Sequence, residues 1–246
     1  MRPRYVLLSC DDGGAYAAYW GPVAFAWRHL VGIEPVLFVV GEEEARLAVT
    51  TGGFVRRVRR VDGVPVPLQA QLARLWGLQE FADDVCLTSD LDMLPLSRDY
   101  FTTAADSCRD DTVVILSSDA YAPVERRYPI CYVEGTGAVL AEALALDRDF
   151  AGFCRRLDAL GWGWHTDELY LGRCIEKWGG PVGLLRRGWL DGWRATGRVD
   201  RLQWEYDPEA AAGGHYIDAH LPRPYASHAA EIDALLGAAM GRGAPP

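Results

Sequence analysis

Asp90 and Asp92 flank a single leucine at the end of an apolar run, Asp84-Val85-Cys86-Leu87-Thr88-Ser89-Asp90-Leu91-Asp92-Met93. On extended backbone, carboxylates at i and i+2 point to one side. A strand cannot bury two unpaired negative charges there without a large cost. A hard divalent cation resolves the conflict, because carboxylate oxygens are its preferred ligands. If such a cation also gripped a diphosphate, the chain would be expected to use an activated nucleotide donor. The plainer alternative for the doublet is a solvated loop or a helix N-cap, both common uses of aspartate.

Two carboxylates do not complete a coordination shell. Further ligands are sought in Gly214-His215-Tyr216-Ile217-Asp218-Ala219-His220-Leu221-Pro222-Arg223-Pro224-Tyr225. His220 ends a short apolar, strand-like run, and imidazole ligates borderline metals such as manganese. Arg223 follows three residues later, within reach of a diphosphate oxygen. His215 and His228 are the other candidates, and a hydrogen-bonded structural role for His220 stays open. Asp167 and Glu168 follow the aromatic stretch Trp162-Gly163-Trp164-His165-Thr166. Thr166 is suited to cap a helix whose first turn these carboxylates satisfy. The chemical alternative puts one of them near the anomeric carbon of a sugar, with tryptophans beside glycines as platforms for sugar rings.

These residues need a frame. Arg4 to Cys10 is an apolar run stopped by Asp11-Asp12-Gly13-Gly14, a buried first strand ending in a loop. Tyr16 to Leu30 has helical spacing, Pro35 to Val40 reads as a strand, and Glu42 to Val49 as a short helix with an acidic first turn. Val55 to Val61 is a half-exposed strand. Pro67 to Phe81 is a helix with Leu68, Leu72, Leu75 and Leu78 on one face, and Val85 to Thr88 delivers the aspartate pair. Strands alternating with helices indicate an α/β fold with a mostly parallel sheet. In such sheets ligands lie beyond the carboxyl ends of the strands, where Asp11-Asp12 and Asp90-Asp92 both fall. Farther on, Thr112 to Leu116 is a strand, and the glycines of Glu134-Gly135-Thr136-Gly137 let backbone approach closely. Phe150 to Leu160, Asp167 to Trp178 and Ala229 to Met240 read as helices. Gly179 to His228 reads as an irregular lobe folded over the sheet rather than a separate domain.

Composition bounds the function. The 246 residues suffice for one domain with a sizeable core, half of them being hydrophobic. A net charge of −9 argues against a nucleic-acid polymer, which needs a basic face, but not against one nucleotide held through a metal. The six cysteines are scattered without a C-x-x-C pair, so a thiolate zinc site is not expected and a reduced, cytoplasmic setting is. No stretch is apolar enough to span a bilayer and no signal-peptide core opens the chain; peripheral membrane contact stays open.

In this order the residues resemble the GT-A glycosyltransferases, especially the glycogenin-like and lipooligosaccharide galactosyltransferase family (glycosyltransferase family eight). Asp11-Asp12 with Tyr16-Ala17-Ala18-Tyr19 resembles that family's nucleoside-binding first loop. Ala73-Arg74-Leu75 followed by Asp90 and Asp92 resembles its helix arginine and metal motif. Gly135-Thr136-Gly137-Ala138-Val139-Leu140 is similar to its N-S-G-V-x-L donor-sugar segment. Thr166-Asp167-Glu168-Leu169 resembles its D-Q-D helix start, and His220-Leu221-Pro222-Arg223-Pro224-Tyr225 a shortened form of its H-x-x-G-x-x-K-P-W ending. Arginine replaces the lysine of the last motif, the asparagine of the donor-sugar segment is missing, and Glu168 stands at the glutamine.

The resemblance implies one GT-A domain over residues 1–246, with a nucleotide-binding half (1–105) and a donor-sugar and acceptor half (106–246). It implies a nucleotide-sugar donor, a UDP-sugar in particular, a carbohydrate or small-molecule acceptor, and Mn²⁺ or Mg²⁺ on Asp90, Asp92 and His220. Asp11, Asp12, Tyr16, Arg74, Asp90, Gly135, Gly137 and Arg223 would hold the donor, with Glu168 or Asp167 as the catalytic carboxylate. In a retaining enzyme that carboxylate would face the ring; in an inverting one it would deprotonate the acceptor. A nucleotidyltransferase of the same architecture and a non-catalytic carbohydrate-binding relic are the alternatives.

Overall fold

The computed structural model describes residues 1–50, 52–103, 106, 108–122, 127–187 and 197–241, with Leu47 described by its backbone alone. The chain is α/β. It opens with strand β1 (Tyr5–Asp11) and a helical segment made of a 3-10 turn (Ala17–Tyr19), helix α1 (Trp20–Phe25) and a π-helical stretch (Ala26–Val31). Strands β2 (Glu34–Gly41), β3 (Ala45–Val49) and β4 (Phe54–Arg59) follow, then helix α2 (Val66–Trp76), continued by a 3-10 stretch (Gly77–Phe81). β5 (Val85–Thr88) and β6 (Met93–Pro95) bracket the aspartate doublet. Next come α3 (Arg98–Thr103), β7 (Val113–Leu116), β8 (Val133–Thr136), α4 (Gly137–Ala143), α5 (Phe150–Asp158) and α6 (Thr166–Lys177). The chain closes with β9 (Val182–Leu185), β10 (Gly197–Val199), α7 (Pro208–Gly213), β11 (Tyr216–His220) and α8 (Tyr225–Met240).

The main sheet has eight strands in the order β3-β4-β2-β1-β5-β8-β7-β9, and a second has three, β10-β11-β6. β4, β2, β1 and β5 run parallel, whereas β8 is antiparallel to both its neighbours, so the sheet is mixed but mostly parallel. Its central strands are near-continuous apolar runs because both faces are covered. Val6, Leu8 and Cys10 of β1 face one core with Trp27, Phe101, the small sheet and α8. Leu7 faces the other, with Leu72 and Leu75 of α2 and the apolar sides of α4, α5 and α6. Among the described residues, no helix is long and apolar enough to cross a membrane.

Two expectations need correction. Glu42 to Val49 is not a helix: β3 pairs antiparallel with β4, Val49 opposite Phe54. Without β3, β4 would be an edge with an open row of N–H and C=O groups, and completing that ladder overrides the local helical preference of Glu-Glu-Glu-Ala-Arg-Leu. The stretch from Gly179 onward is not wholly irregular. β9 extends the main sheet beside β7, and β10 and β11 join β6, in strands too short to show a period.

Candidate functional site

β1 and β5 lie side by side, Leu7 opposite Thr88, and the chain leaves both at the same end. A cleft of about 330 Å³ opens there, and Asp11, Tyr16, Arg74, Asp90, Asp92 and Trp164 contribute to its walls. Asp90-Leu91-Asp92 forms the turn from β5 to β6. Leu91 packs into the core, and Met93 N donates to Asp90 O at 3.2 Å.

The antiparallel pairing of β11 with β6 brings the distant terminal motif to this turn. His220 stands opposite Met93, and Leu221 N donates to Asp92 O at 2.8 Å. The first helical segment clamps the motif from above: the buried Tyr19 hydroxyl donates to Pro222 O at 2.6 Å. The Arg223 guanidinium lies over the Tyr16 ring, 4.6 Å from its centroid. Residues i and i+2 of β11 share a face, so Asp218 and His220 point the same way. Asp218 is fully buried and accepts from Arg198 Nε at 2.7 Å, Arg198 Nη2 at 2.8 Å and Arg187 Nη2 at 2.7 Å. Burial works against its charge, but Arg198 and Arg187 outweigh burial and hold its carboxyl below the usual range.

Asp92 is 4% exposed. Its Oδ2 accepts from Arg201 Nη2 at 2.7 Å and Arg223 Nη2 at 2.9 Å, with His220 Nε2 at 3.5 Å. Burial opposes ionisation, but His220 (where it carries its proton) and the permanently charged Arg201 and Arg223 keep the carboxyl below its ordinary value. Burial lowers the His220 imidazole pKa despite the attraction of Asp92, which favours the neutral form with a free lone pair. Asp90 pairs with Arg74 of α2. Arg74, 3% exposed, also donates to Ser89 O at 2.9 Å and lies 3.5 Å from Asp167 Oδ2. Burial disfavours its charge, yet Asp90 and Asp167 outweigh that and raise its pKa.

Asp167 and Glu168 open α6, and both reach the cleft. The helix is not capped as expected: Thr166 is its first residue, and its hydroxyl donates back to Gly163 O at 2.7 Å. Asp167 is 3% exposed and accepts from Glu168 N at 2.8 Å. Burial, despite Arg74 and with Asp90 and Glu168 nearby, pushes its carboxyl up to about 7. Glu168 accepts from the Tyr121 hydroxyl through one oxygen and from Arg127 Nε at 2.8 Å through the other. Arg127 stacks on Tyr121, 4.1 Å from the ring centroid. Trp164, 59% exposed, stands at the rim.

Three residues expected in the site lie elsewhere. Asp12, just past the end of β1, turns away to Arg60 Nη2 at 2.8 Å. Gly135 and Gly137 belong to the other end of the sheet. β8 runs antiparallel to β5, so Gly135 stands opposite Cys86, and Gly137 N donates to Asp84 O at 3.0 Å. A Cβ on Gly137 would fall 2.3 Å from Phe81 O, so this glycine allows close packing of α4. Ile130, ahead of β8, lines the cleft instead. Arg201, Tyr121 and Arg127 were not apparent in the sequence. They have no motif, and only tertiary pairing brings them to Asp92 and Glu168.

Among the described residues no three His, Cys, Asp or Glu side chains are gathered to hold one metal ion. Asp92 and His220 face each other, but Asp90 is turned onto Arg74. The two carboxylates of the turn are of a type that suits Mn²⁺ or Mg²⁺, and the imidazole beside Asp92 suits Mn²⁺ better than Mg²⁺, although arginines hold both carboxylates here. No protein-family model and no curated protein matches this chain.

Proposed function

We propose that the protein is a metal-dependent glycosyltransferase of GT-A type. It would move a sugar from a nucleotide-sugar donor, a UDP-sugar by resemblance, to a hydroxyl of a carbohydrate or small-molecule acceptor. One observation carries this reading. Asp11, Arg74, Asp90, Asp167, His220 and Arg223, from separate chain segments, share a single cleft beyond the carboxyl ends of parallel strands. Ligands bind at that location in open α/β sheets.

In this reading Asp90, Asp92 and His220 would hold the divalent cation, which would supply positive charge against the diphosphate as it departs. Arg223 adds charge-assisted hydrogen bonds to the same oxygens, with the Tyr16 ring steadying its guanidinium. Breaking the anomeric C–O bond leaves the electron pair on the diphosphate and cationic character on the sugar. Glu168, fixed by Tyr121 and Arg127, is the carboxylate that lowers the energy of that cation. The acceptor oxygen bonds to the anomeric carbon and gives up its proton. Asp167, with a carboxyl at about 7, suits acceptance of that proton at neutral pH. The exposed Trp164 at the rim offers an apolar face to an acceptor ring. All six cysteines are unpaired, which suits a reducing compartment such as the cytoplasm.

The test is a screen of nucleotide sugars for slow donor hydrolysis, read as UDP release with MnCl₂ present. Release from one sugar nucleotide that stops on chelation supports the proposal. No release from any of them, with no change of melting temperature in UDP plus MnCl₂, contradicts it.

A further inference from the structure

Asp92 already holds two cations, and one of them, Arg201, belongs to none of the motifs in the sequence. Arg201 makes the shorter contact to Asp92, 2.7 Å against 2.9 Å for Arg223. Its side chain is 17% exposed, and it lines the cleft. The turn that carries it is fixed by Asp200, whose side chain accepts from Leu202 N at 2.8 Å and whose carbonyl accepts from Trp204 N at 2.7 Å. Its Nε is buried with no hydrogen-bond partner among the described residues. Arg201 is thus held in place, aimed at the cleft, with one donor unused.

This arrangement has a consequence for both ligands of the proposed donor site, and the inference rests on that reading. A divalent cation approaching Asp92 meets two guanidiniums on one of its two carboxylate oxygens, the one nearer His220. A diphosphate offers those guanidiniums several charged oxygens and a geometry they match well. Once they turn to the phosphates, Asp92 would be left as a buried, unpaired carboxylate, a costly state, unless a cation takes their place. Each ligand therefore removes an obstacle to the other. We propose that Arg201 is a diphosphate-binding residue. We further propose that Arg201 and Arg223 exchange Asp92 for the phosphates, so that divalent-cation and nucleoside-diphosphate binding are positively coupled. Such coupling is reciprocal: the factor by which UDP tightens the cation equals that by which the cation tightens UDP.

The experiment is calorimetric titration of MnCl₂ into the full chain, with and without saturating UDP, for the wild type, Arg201→Ala and Arg201→Lys. No turnover is involved. Coupling of about tenfold or more is expected in the wild type. Arg201→Ala should bind Mn²⁺ more tightly than wild type when UDP is absent, bind UDP more weakly, and show a several-fold smaller coupling factor. Arg201→Lys should restore part of the coupling, because the charge is kept and the planar fork is lost. Mn²⁺ binding to the wild type that is indifferent to UDP overturns the exchange while leaving the metal site standing. An unchanged coupling factor in Arg201→Ala overturns the role of Arg201. Absence of any binding of Mn²⁺ and UDP to the wild type rejects the donor-site reading, and this proposal with it. Far-ultraviolet circular dichroism and a melting curve check that Arg201→Ala is folded. If it is not, the wild-type comparison and Arg201→Lys decide.

Discussion

Replacing Asp167 with asparagine should flatten part of the pH dependence of stability. In the unfolded chain this carboxyl titrates near its ordinary 3.8, whereas in the folded chain burial holds it up to about 7. Between those values the folded state binds a proton that the unfolded state has lost. Stability therefore falls as pH rises through this window and levels off above about 7. A rise from 3.8 to about 7 corresponds to about 4 kcal/mol. The group is 3% exposed, so solvent screening does not reduce the figure much. Asparagine cannot titrate. It can keep the 2.8 Å bond from Glu168 N through its carbonyl, but then turns its amide toward Arg74, 3.5 Å from the oxygen it replaces. That clash shifts absolute stability at every pH and leaves the slope alone. The assay is urea unfolding of both proteins at several pH values from 4 to 8. The wild type should lose up to about 4 kcal/mol relative to Asp167→Asn across this range. Parallel curves would refute the burial argument and the proton-accepting role built on it.

Glu168→Gln should slow nucleotide-sugar turnover by at least about tenfold with little change in UDP affinity, since the neutral amide no longer stabilises a cationic sugar; steady-state kinetics and calorimetry separate the two effects. Gly137→Ala should destabilise the fold by about 1–3 kcal/mol, because its Cβ meets the Phe81 and Leu78 carbonyls at 2.3 and 2.5 Å, yet leave UDP binding unchanged. Weakened UDP binding in a folded Gly137→Ala protein would return that glycine to the site. Glu134, 1% exposed and with neither carboxyl oxygen hydrogen-bonded among the described residues, has its carboxyl pushed up by burial to about 8. The sign is the same as for Asp167, so Glu134→Gln should gain stability relative to wild type as pH rises from about 5 to 8, whatever its pH-independent offset, measured by urea unfolding.

The sequence carried the frame well where burial leaves a long mark. Runs such as Val6-Leu7-Leu8 and Val36-Leu37-Phe38-Val39-Val40 are apolar throughout because both sheet faces are covered, and Leu68, Leu72 and Leu75 mark the buried side of α2. It failed where two causes leave the same mark. Glycine permits close approach to a ligand and to a neighbouring backbone alike, and Gly137 meets backbone. Asp11 and Asp12 look equivalent in a string of letters, but only Asp11, the last residue of β1, lines the cleft, while Asp12 is held by Arg60. Ala45 to Val49 is a strand because β4 lacks a partner on that side, a condition set by the rest of the sheet. Arg201 meets Asp92 through the pairing of β6 with β11 and β10, which no local spacing encodes.

The aspartate turn itself decides the account. Crystals grown with MnCl₂ and UDP should show an anomalous manganese peak bonded to Asp90, Asp92 and His220 and to the diphosphate, with Arg201 and Arg223 turned onto phosphate oxygens. Density for both guanidiniums still on Asp92, with no manganese peak in the cleft, would contradict it.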